Sequence, residues 1–170
     1  MLETQDLILA KAKPDDWQPM LRNVWSRPES ARYMFWDTIT TEAEARARLE
    51  RTMAFQRDAD SYFVYEKATG EAIGFAGIEN AGEGVCFEHG ICLGPDYVHR
   101  GYGRQILQCL IDRARTVYSA VEFRAQARPE NAASRGLLAA MGFVEVGIEQ
   151  GSDWRDGTPY TLVNHSLKLG

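Results

Sequence analysis

The chain has 170 residues, 45% of them apolar and 25% charged, with a formal net charge of −5 and a sequence pI near 5.3. These proportions exclude a mainly disordered or collagen-like chain, and the length suffices to bury roughly 70% of the surface that the unfolded form exposes. No run approaches the ~20 consecutive apolar residues of a membrane span, and Met1-Leu2-Glu3-Thr4-Gln5-Asp6 lacks the basic-then-apolar order of a secretory leader. The acidic balance disfavours broad nucleic-acid binding. The expectation is one cytoplasmic domain over residues 1–170, monomer or homodimer, with no membrane or nucleic-acid partner.

In chain order, Leu7-Ile8-Leu9-Ala10 reads as a first strand. Pro14-Asp15-Asp16 opens a helix with Trp17, Met20, Leu21, Val24 and Trp25 on one buried stripe, and Pro28 closes that run. A second helix follows Thr41, where Glu44 three residues later completes a capping box. It runs to about Gln56, with Ala45, Leu49, Thr52 and Met53 facing inward. Two strands, Tyr62–Tyr65 and Ala72–Ile78, flank the hairpin signal Ala68-Thr69-Gly70, and Val85–Leu93 follows until Gly94-Pro95 breaks it. Residues 104–117 read as a helix with Ile106, Leu107, Leu110, Ala114 and Val117 on one face. Val121–Ala127 is a strand, Ala132–Met141 a helix stopped by Gly142, and Val144–Ile148 and Tyr160–Leu169 are closing strands. Adjacent strands imply antiparallel pairs, and the strand-helix-strand unit over 85–127 implies a parallel crossover. The fold class is α/β, with a mixed, mostly antiparallel sheet of about seven strands flanked by helices on both faces.

Cys86, Cys92 and Cys109 are too few for a disulfide framework. Cys86 and Cys92 would share a strand face about 20 Å apart, with His89 pointing the other way, so no metal site is expected and the cysteines read as small core residues.

The chemistry concentrates at Arg100-Gly101-Tyr102-Gly103-Arg104-Gln105, between a strand and an amphipathic helix. Two glycines let the backbone approach a ligand closely and turn consecutive N–H groups outward. The helix that follows adds its positive end, which suits a phosphate. A tight connection is the alternative reading of such a turn. The string Gly-x-x-x-x-Gly-Lys-Ser/Thr is absent, a dinucleotide fingerprint from Gly101 would require glycine where Ile106 stands, and no Gly-x-Ser-x-Gly elbow occurs.

Context separates these readings. The glycine turn follows a strand ending Gly90-Ile91-Cys92-Leu93-Gly94-Pro95. Downstream lies Ala127-Arg128-Pro129-Glu130-Asn131-Ala132-Ala133-Ser134, leading into a helix that ends Met141-Gly142-Phe143. From about Glu3 to Leu169 this combination resembles the GNAT superfamily of acyl-CoA-dependent N-acetyltransferases. Leu2-Glu3-Thr4-Gln5-Asp6-Leu7-Ile8-Leu9 and Pro14-Asp15-Asp16 are similar to its RimJ/RimL-like branch, which acetylates ribosomal-protein N-termini. The resemblance implies the GNAT fold, acetyl-CoA as acyl donor with no metal, and an amine acceptor.

It also implies site residues. The family pattern Gln/Arg-x-x-Gly-x-Gly/Ala binds the CoA pyrophosphate through backbone amides, and Arg100, Gly103 and Gln105 occupy its key positions. Gln105 departs from the small residue of that pattern. Ile91-Cys92-Leu93 corresponds to the strand segment that pairs with pantetheine, and Asn131 to an asparagine that contacts the same arm. Acyl transfer needs a base for the amine, stabilisation of the carbonyl oxygen and an acid for the thiolate. Glu88, similar to a glutamate on the equivalent strand of histone-acetylating relatives, is the candidate base, directly or through water. A solvent-facing or salt-bridged strand glutamate is the alternative. The tyrosine that many members use as acid is replaced by Leu138. Ser134, the substitute of RimL-like members, is the candidate acid, against a plain cap or first-turn serine. Arg32-Tyr33-Met34-Phe35-Trp36 and residues 154–160 correspond to acceptor-groove segments, although an aromatic run also reads as core. Arg128 and Arg135 could meet the adenosine phosphate or solvate a loop and a helix face.

The expected function is acetyl transfer from acetyl-CoA to a primary amine, of a protein or peptide N-terminus or a small molecule, by direct attack. The alternatives are a non-catalytic acyl-CoA-binding or regulatory module and a plain interaction domain.

Overall fold

The computed structural model describes residues 1–170. Eight strands form one mixed, mostly antiparallel sheet flanked by helices, in the hydrogen-bonded order β1-β2-β3-β4-β5-β6-β8-β7. The eighth strand beyond the expected number is β1, the two-residue Leu2–Glu3 pairing antiparallel with β2, Leu7–Ala10. Two compact units are distinguished. One comprises Met1–Ile78 with His89–Leu110, the other Glu79–Glu88 with Ile111–Gly170.

In the first unit, β2 pairs with β3 (Ser61–Glu66), and β3 with β4 (Ala72–Gly82), all antiparallel. Gly70, at φ +73°, closes the β3–β4 hairpin, a conformation that costs a residue with a Cβ about 1 kcal/mol or more. The helical run after Lys13 is less regular than its apolar stripe suggests. It begins as a 3₁₀ turn at Pro14–Asp16, becomes α1 (Trp17–Met20), and widens into a π turn at Leu21–Trp25. The Ser26 N–H donates to Leu21 O at 3.1 Å, five residues back. The widening brings Asn23 inside, where its amide donates to Ala72 O (3.0 Å) and Glu71 Oε2 (3.1 Å). Pro28 does not merely end this run. It is an early residue of a further turn, α2 (Pro28–Ala31), where its missing N–H costs nothing.

Helix α3 (Glu42–Gln56) starts as expected: the Thr41 hydroxyl accepts from the Glu44 N–H at 3.3 Å, and the Glu44 carboxylate accepts from the Thr41 N–H at 3.2 Å. Ala45 and Leu49 join Met20, Val24, Trp25, Phe63, Tyr65, Ala72 and Cys92 in one core cluster, with Trp25 edge-on to Phe63 at 6.0 Å. Each large apolar side chain so buried contributes about 1.5–3 kcal/mol.

Strand β5 (Val85–Leu93) begins in the second unit and ends in the first. Gly90, at φ +82°, interrupts its two-residue alternation. A face shared by Glu88 and Cys92 therefore does not follow from their spacing, because one left-handed residue re-aims the side chains beyond it. Helix α4 (Tyr102–Tyr118) buries Ile106, Leu107, Leu110, Ile111 and Ala114, whereas Val117 near its end is 52% exposed, against expectation.

In the second unit, β5 runs parallel to β6 (Glu122–Ala127) over Val85–Phe87, giving the expected crossover. Strand β8 (Pro159–Lys168) is antiparallel to β6 and to the edge strand β7 (Val144–Ser152), which is longer than its apolar run suggested. Helix α5 (Ala132–Ala140) ends at Gly142, φ +91°, and Leu138 and Phe143 are buried below it.

Four carboxylates of this unit are held below their ordinary values, Glu145 and Asp156 among them, and two most strongly. Glu122 is held down at about 2 by hydrogen bonds from Arg124 (2.6 Å), Lys168 (2.6 Å) and Ser166 (2.8 Å). Asp153 is held at about 2 by the Arg155 side chain and N–H. Both values lie below those of unfolded carboxylates, so their stabilisation is complete above about pH 4.5 and is lost as pH falls towards 2. Thermal melts from pH 6 to 2 should therefore show falling stability, and Glu122→Gln should flatten that slope. An unchanged slope in the variant would contradict this account.

Candidate functional site

The segment between β5 and α4 is held from several sides, all within the first unit. Gly94 packs so closely on the preceding helical turn that a Cβ there would lie 2.2 Å from Asn23 O. Arg27 pairs with Asp96 at 2.8 Å, which holds the Asp96 carboxyl below its usual range. His99 (φ +61°) and Gly101 (φ +78°) then turn the chain through left-handed conformations into α4. A Cβ at Gly101 would meet nothing within 4 Å, so it is the backbone angle that favours glycine there.

The first α4 turn fits an anion. The Gln105 N–H donates to Gly101 O at 3.2 Å. The N–H groups of Tyr102, Gly103 and Arg104 therefore precede the helical ladder and, with the positive helix end, form a donor set for phosphate oxygens. Arg104 is exposed beside them.

The side chains of the segment have assigned work. The buried Glu66 carboxylate, at the end of β3, accepts from the Tyr102 hydroxyl (2.7 Å), Arg100 Nη1 (3.1 Å) and the Thr69 hydroxyl (3.1 Å). Its hydrogen bond, with burial, raises the Tyr102 phenol above its ordinary value. Arg100 also lies over the Tyr97 ring at 5.2 Å, so part of its charge is committed to the protein. Gln105 fastens the helix start to the β1–β2 turn. Its Nε2 donates to Asp6 (2.7 Å), and its Oε1 accepts from the Thr4 hydroxyl (2.7 Å) and the Asp6 N–H (3.1 Å). A small residue at 105 would forgo all three bonds.

Of the remaining residues singled out by sequence, Ile91, Cys92 and Leu93 close β5 in the first unit. Cys92 is buried, its Sγ lies 3.5 Å from Ser30 O, and burial pushes its thiol up to about 12, so it is no thiolate nucleophile at neutral pH. Glu88 is half-buried on β5 in the second unit. There too, Asn131 caps α5, with Oδ1 accepting from the Ser134 N–H at 3.2 Å, which leaves its Nδ2 as a donor. Ser134 is therefore the capped first-turn residue and not the cap. Leu138, where a tyrosine would stand, is core. Arg135 is bound to Glu145 (2.5 Å) and Pro129 O (3.0 Å), which commits it to the protein. Trp154 stands 79% exposed on the β7–β8 loop that Asp153 organises.

The loop, the sheet and the order of elements agree with a family-level match. Residues 6–144 match the family described as the acetyltransferase (GNAT) domain. The chain belongs to the GNAT acetyltransferase family. A Bacillus licheniformis relative described as the uncharacterized N-acetyltransferase p20 is 29% identical over 150 residues, covering 86% of this chain and 84% of its own. The N-alpha-acetyltransferase RimI of Mycobacterium tuberculosis is 35% identical over 105 residues, 57% of this chain and 63% of its own length. A GNAT-family acetyltransferase from Bacillus anthracis superposes with a TM-score of 0.82 at 17% identity, covering 98% of this chain and 97% of that one, which shows the shared fold.

Two features of this GNAT chain have no local signature in its sequence. Glu66 follows the strand expected over Tyr62–Tyr65, and nothing local announces a carboxylate that gathers Arg100 and Tyr102 from thirty-odd residues away. Arg48, on α3, carries no local signal of a special role. Its guanidinium lies over two indole rings.

Proposed function

We propose that the chain is an acetyl-CoA-dependent N-acetyltransferase, acting as one GNAT domain in the cytoplasm, as monomer or homodimer, on a primary amine. The observation that carries this is the α4 start, where three N–H donors, a left-handed glycine and Arg104 fit a pyrophosphate. Bound there, acetyl-CoA supplies an activated acetyl thioester. Arg100, Gly101, Tyr102, Gly103 and Arg104 hold its diphosphate, with Gln105 and Glu66 fixing the shape of that cradle. Ile91, Cys92 and Leu93 offer β5 backbone groups to the pantetheine arm, and the Asn131 Nδ2 donates to it.

Glu88 takes the proton that the attacking amine loses, directly or through water. The Ser134 hydroxyl donates to the departing sulfur, a role supported by its lack of any hydrogen bond within the protein. Attack is direct, with no covalent enzyme intermediate. The RimJ/RimL-like branch, with a protein or peptide N-terminus as acceptor, is the finer reading, supported by the partial likeness to an N-alpha-acetyltransferase.

The second reading, a non-catalytic acyl-CoA-binding module, is favoured by Leu138 in the tyrosine position. A CoA-release assay on a panel of amines separates the two. Turnover is expected, and Ser134→Ala should lower kcat about tenfold without weakening acetyl-CoA binding, the scale of one lost charge-assisted hydrogen bond. Binding without turnover on any amine would favour the module.

A further inference from the structure

Arg48 projects from α3 with its guanidinium carbon 4.4 Å from the Trp36 ring centroid and 5.1 Å from that of Trp25. It lies over both indoles in the first unit, yet it makes no hydrogen bond or ion pair with any protein group. The titratable groups acting on it are the Cys92 thiol, neutral at ordinary pH, and Arg51, a second cation, with no carboxylate among them. Burial lowers its value to about 10, which leaves it charged at neutral pH. Beside it the Trp36 Nε1–H is buried and has no acceptor.

A stacked guanidinium satisfies its faces and leaves its in-plane N–H donors pointing outward. An arginine placed only to cover a core would gain as much from a nearby carboxylate, and this one has none. Each buried donor left unmet costs about 1–3 kcal/mol. Arg48 and Trp36 therefore present neighbouring, partly dehydrated donors that an oxygen anion would satisfy with charge-assisted bonds. Cys92, close enough to act on Arg48, belongs to the β5 segment assigned above to the pantetheine arm.

We propose that Arg48 and the Trp36 indole N–H form a recognition site for an oxyanion carried by the acceptor. The preferred acceptor is then an amine that also bears a carboxylate or phosphate group, and not a polyamine. This rests on the acetyltransferase reading for its place in the reaction, though the oxyanion site itself can be tested without turnover. The two indoles beside Arg48 serve as reporters.

Tryptophan fluorescence of the full chain is titrated with N-acetylglycine, inorganic phosphate and spermidine, in wild type, Arg48→Met, Arg48→Lys and Trp36→Phe. A saturable change with an oxyanion, absent with spermidine, is expected. Affinity should fall at least about tenfold in Arg48→Met and by less in Trp36→Phe, which keeps an aromatic ring and loses the N–H. The carboxylate and phosphate arms identify which anion the site takes. In transfer assays, glycine should outrun glycinamide, or phosphoethanolamine outrun ethanolamine, about tenfold in kcat/KM, with the gap closing in Arg48→Met. Stabilisation by acetyl-CoA should be equal in wild type and variant.

Absence of saturable oxyanion binding, equal binding in wild type and Arg48→Met, or spermidine as the best acceptor would overturn the proposal. If Arg48→Met does not fold, Arg48→Lys and Trp36→Phe decide it on the same criteria. Oxyanion binding without any acetyl-CoA stabilisation would overturn the acetyltransferase reading and leave the oxyanion site standing.

Discussion

Glu88→Gln is expected to lower kcat for acetyl transfer by roughly 10²–10⁴-fold, the usual worth of a positioned general base. The substitution keeps the volume of the side chain and a hydrogen-bonding end group and removes its capacity to take a proton. Acetyl-CoA binding, read by calorimetry or thermal shift, should be unchanged, because the loop proposed to hold the diphosphate, residues 100–105, begins twelve residues beyond Glu88, after β5 has ended. The pH profile gives a signature that a structural role would not: the limb on which wild-type kcat/KM rises with pH should be lost, since it reports the base. If Glu88 is instead a structural strand glutamate, the variant will melt earlier while turning over normally. That result would move the base to bound water or to another residue.

Gly74→Ala should cost about 3 kcal/mol of stability, at the upper end of ordinary overpacking. A Cβ at this position would lie 2.1 Å from the Cys92 carbonyl oxygen and 3.1 Å from Leu93 Cδ2. The nearest obstacle is backbone and cannot rotate away, so β4 and the end of β5 must part. The Gly94 N–H, which donates to Ile73 O at 2.9 Å, would be strained by the same movement. For a chain of this size the loss corresponds to a drop in Tm of about 6–12 °C. Because Ile91–Leu93 is the segment assigned to pantetheine, acetyl-CoA affinity should fall together with stability. A melt unchanged from wild type would mean that β5 yields easily here, and that its path is not set by the missing side chain at 74.

The parts of the fold that the sequence showed are those governed by local rules. Thr41 and Glu44 announce the start of α3 because both capping partners lie within four residues, and Gly70 and Gly142 mark a hairpin and a helix end because their backbone angles exclude most other residues. The π turn at Leu21–Trp25 was not legible, since the apolar stripe fits an α-helix equally well. It is Asn23, seeking Ala72 O and Glu71 across the unit, that favours the wider turn. Gly90 gave no warning of its left-handed backbone, because glycine in a strand can equally be a weak ordinary residue.

The same division holds for the site. The loop at 100–105 stands out in sequence because its donors are backbone groups at fixed spacing. The work of Gln105 and Glu66 does not, because their partners, Thr4 and Asp6 in one case and Arg100 and Tyr102 in the other, are set by tertiary packing. Gln105 shows the point well. By motif it is a departure from a small residue, and by structure it carries three hydrogen bonds that tie the cradle to the first hairpin.

The central claim is that this chain uses acetyl-CoA to acetylate an amine. Its most direct test is release of CoA from acetyl-CoA by the wild-type chain, run against peptides, amino acids, aminophosphates and polyamines, with acetylated product identified by mass. CoA release is expected to depend on the acceptor and to match product mole for mole. No release with any acceptor, together with no stabilisation of the chain by millimolar acetyl-CoA, would contradict it.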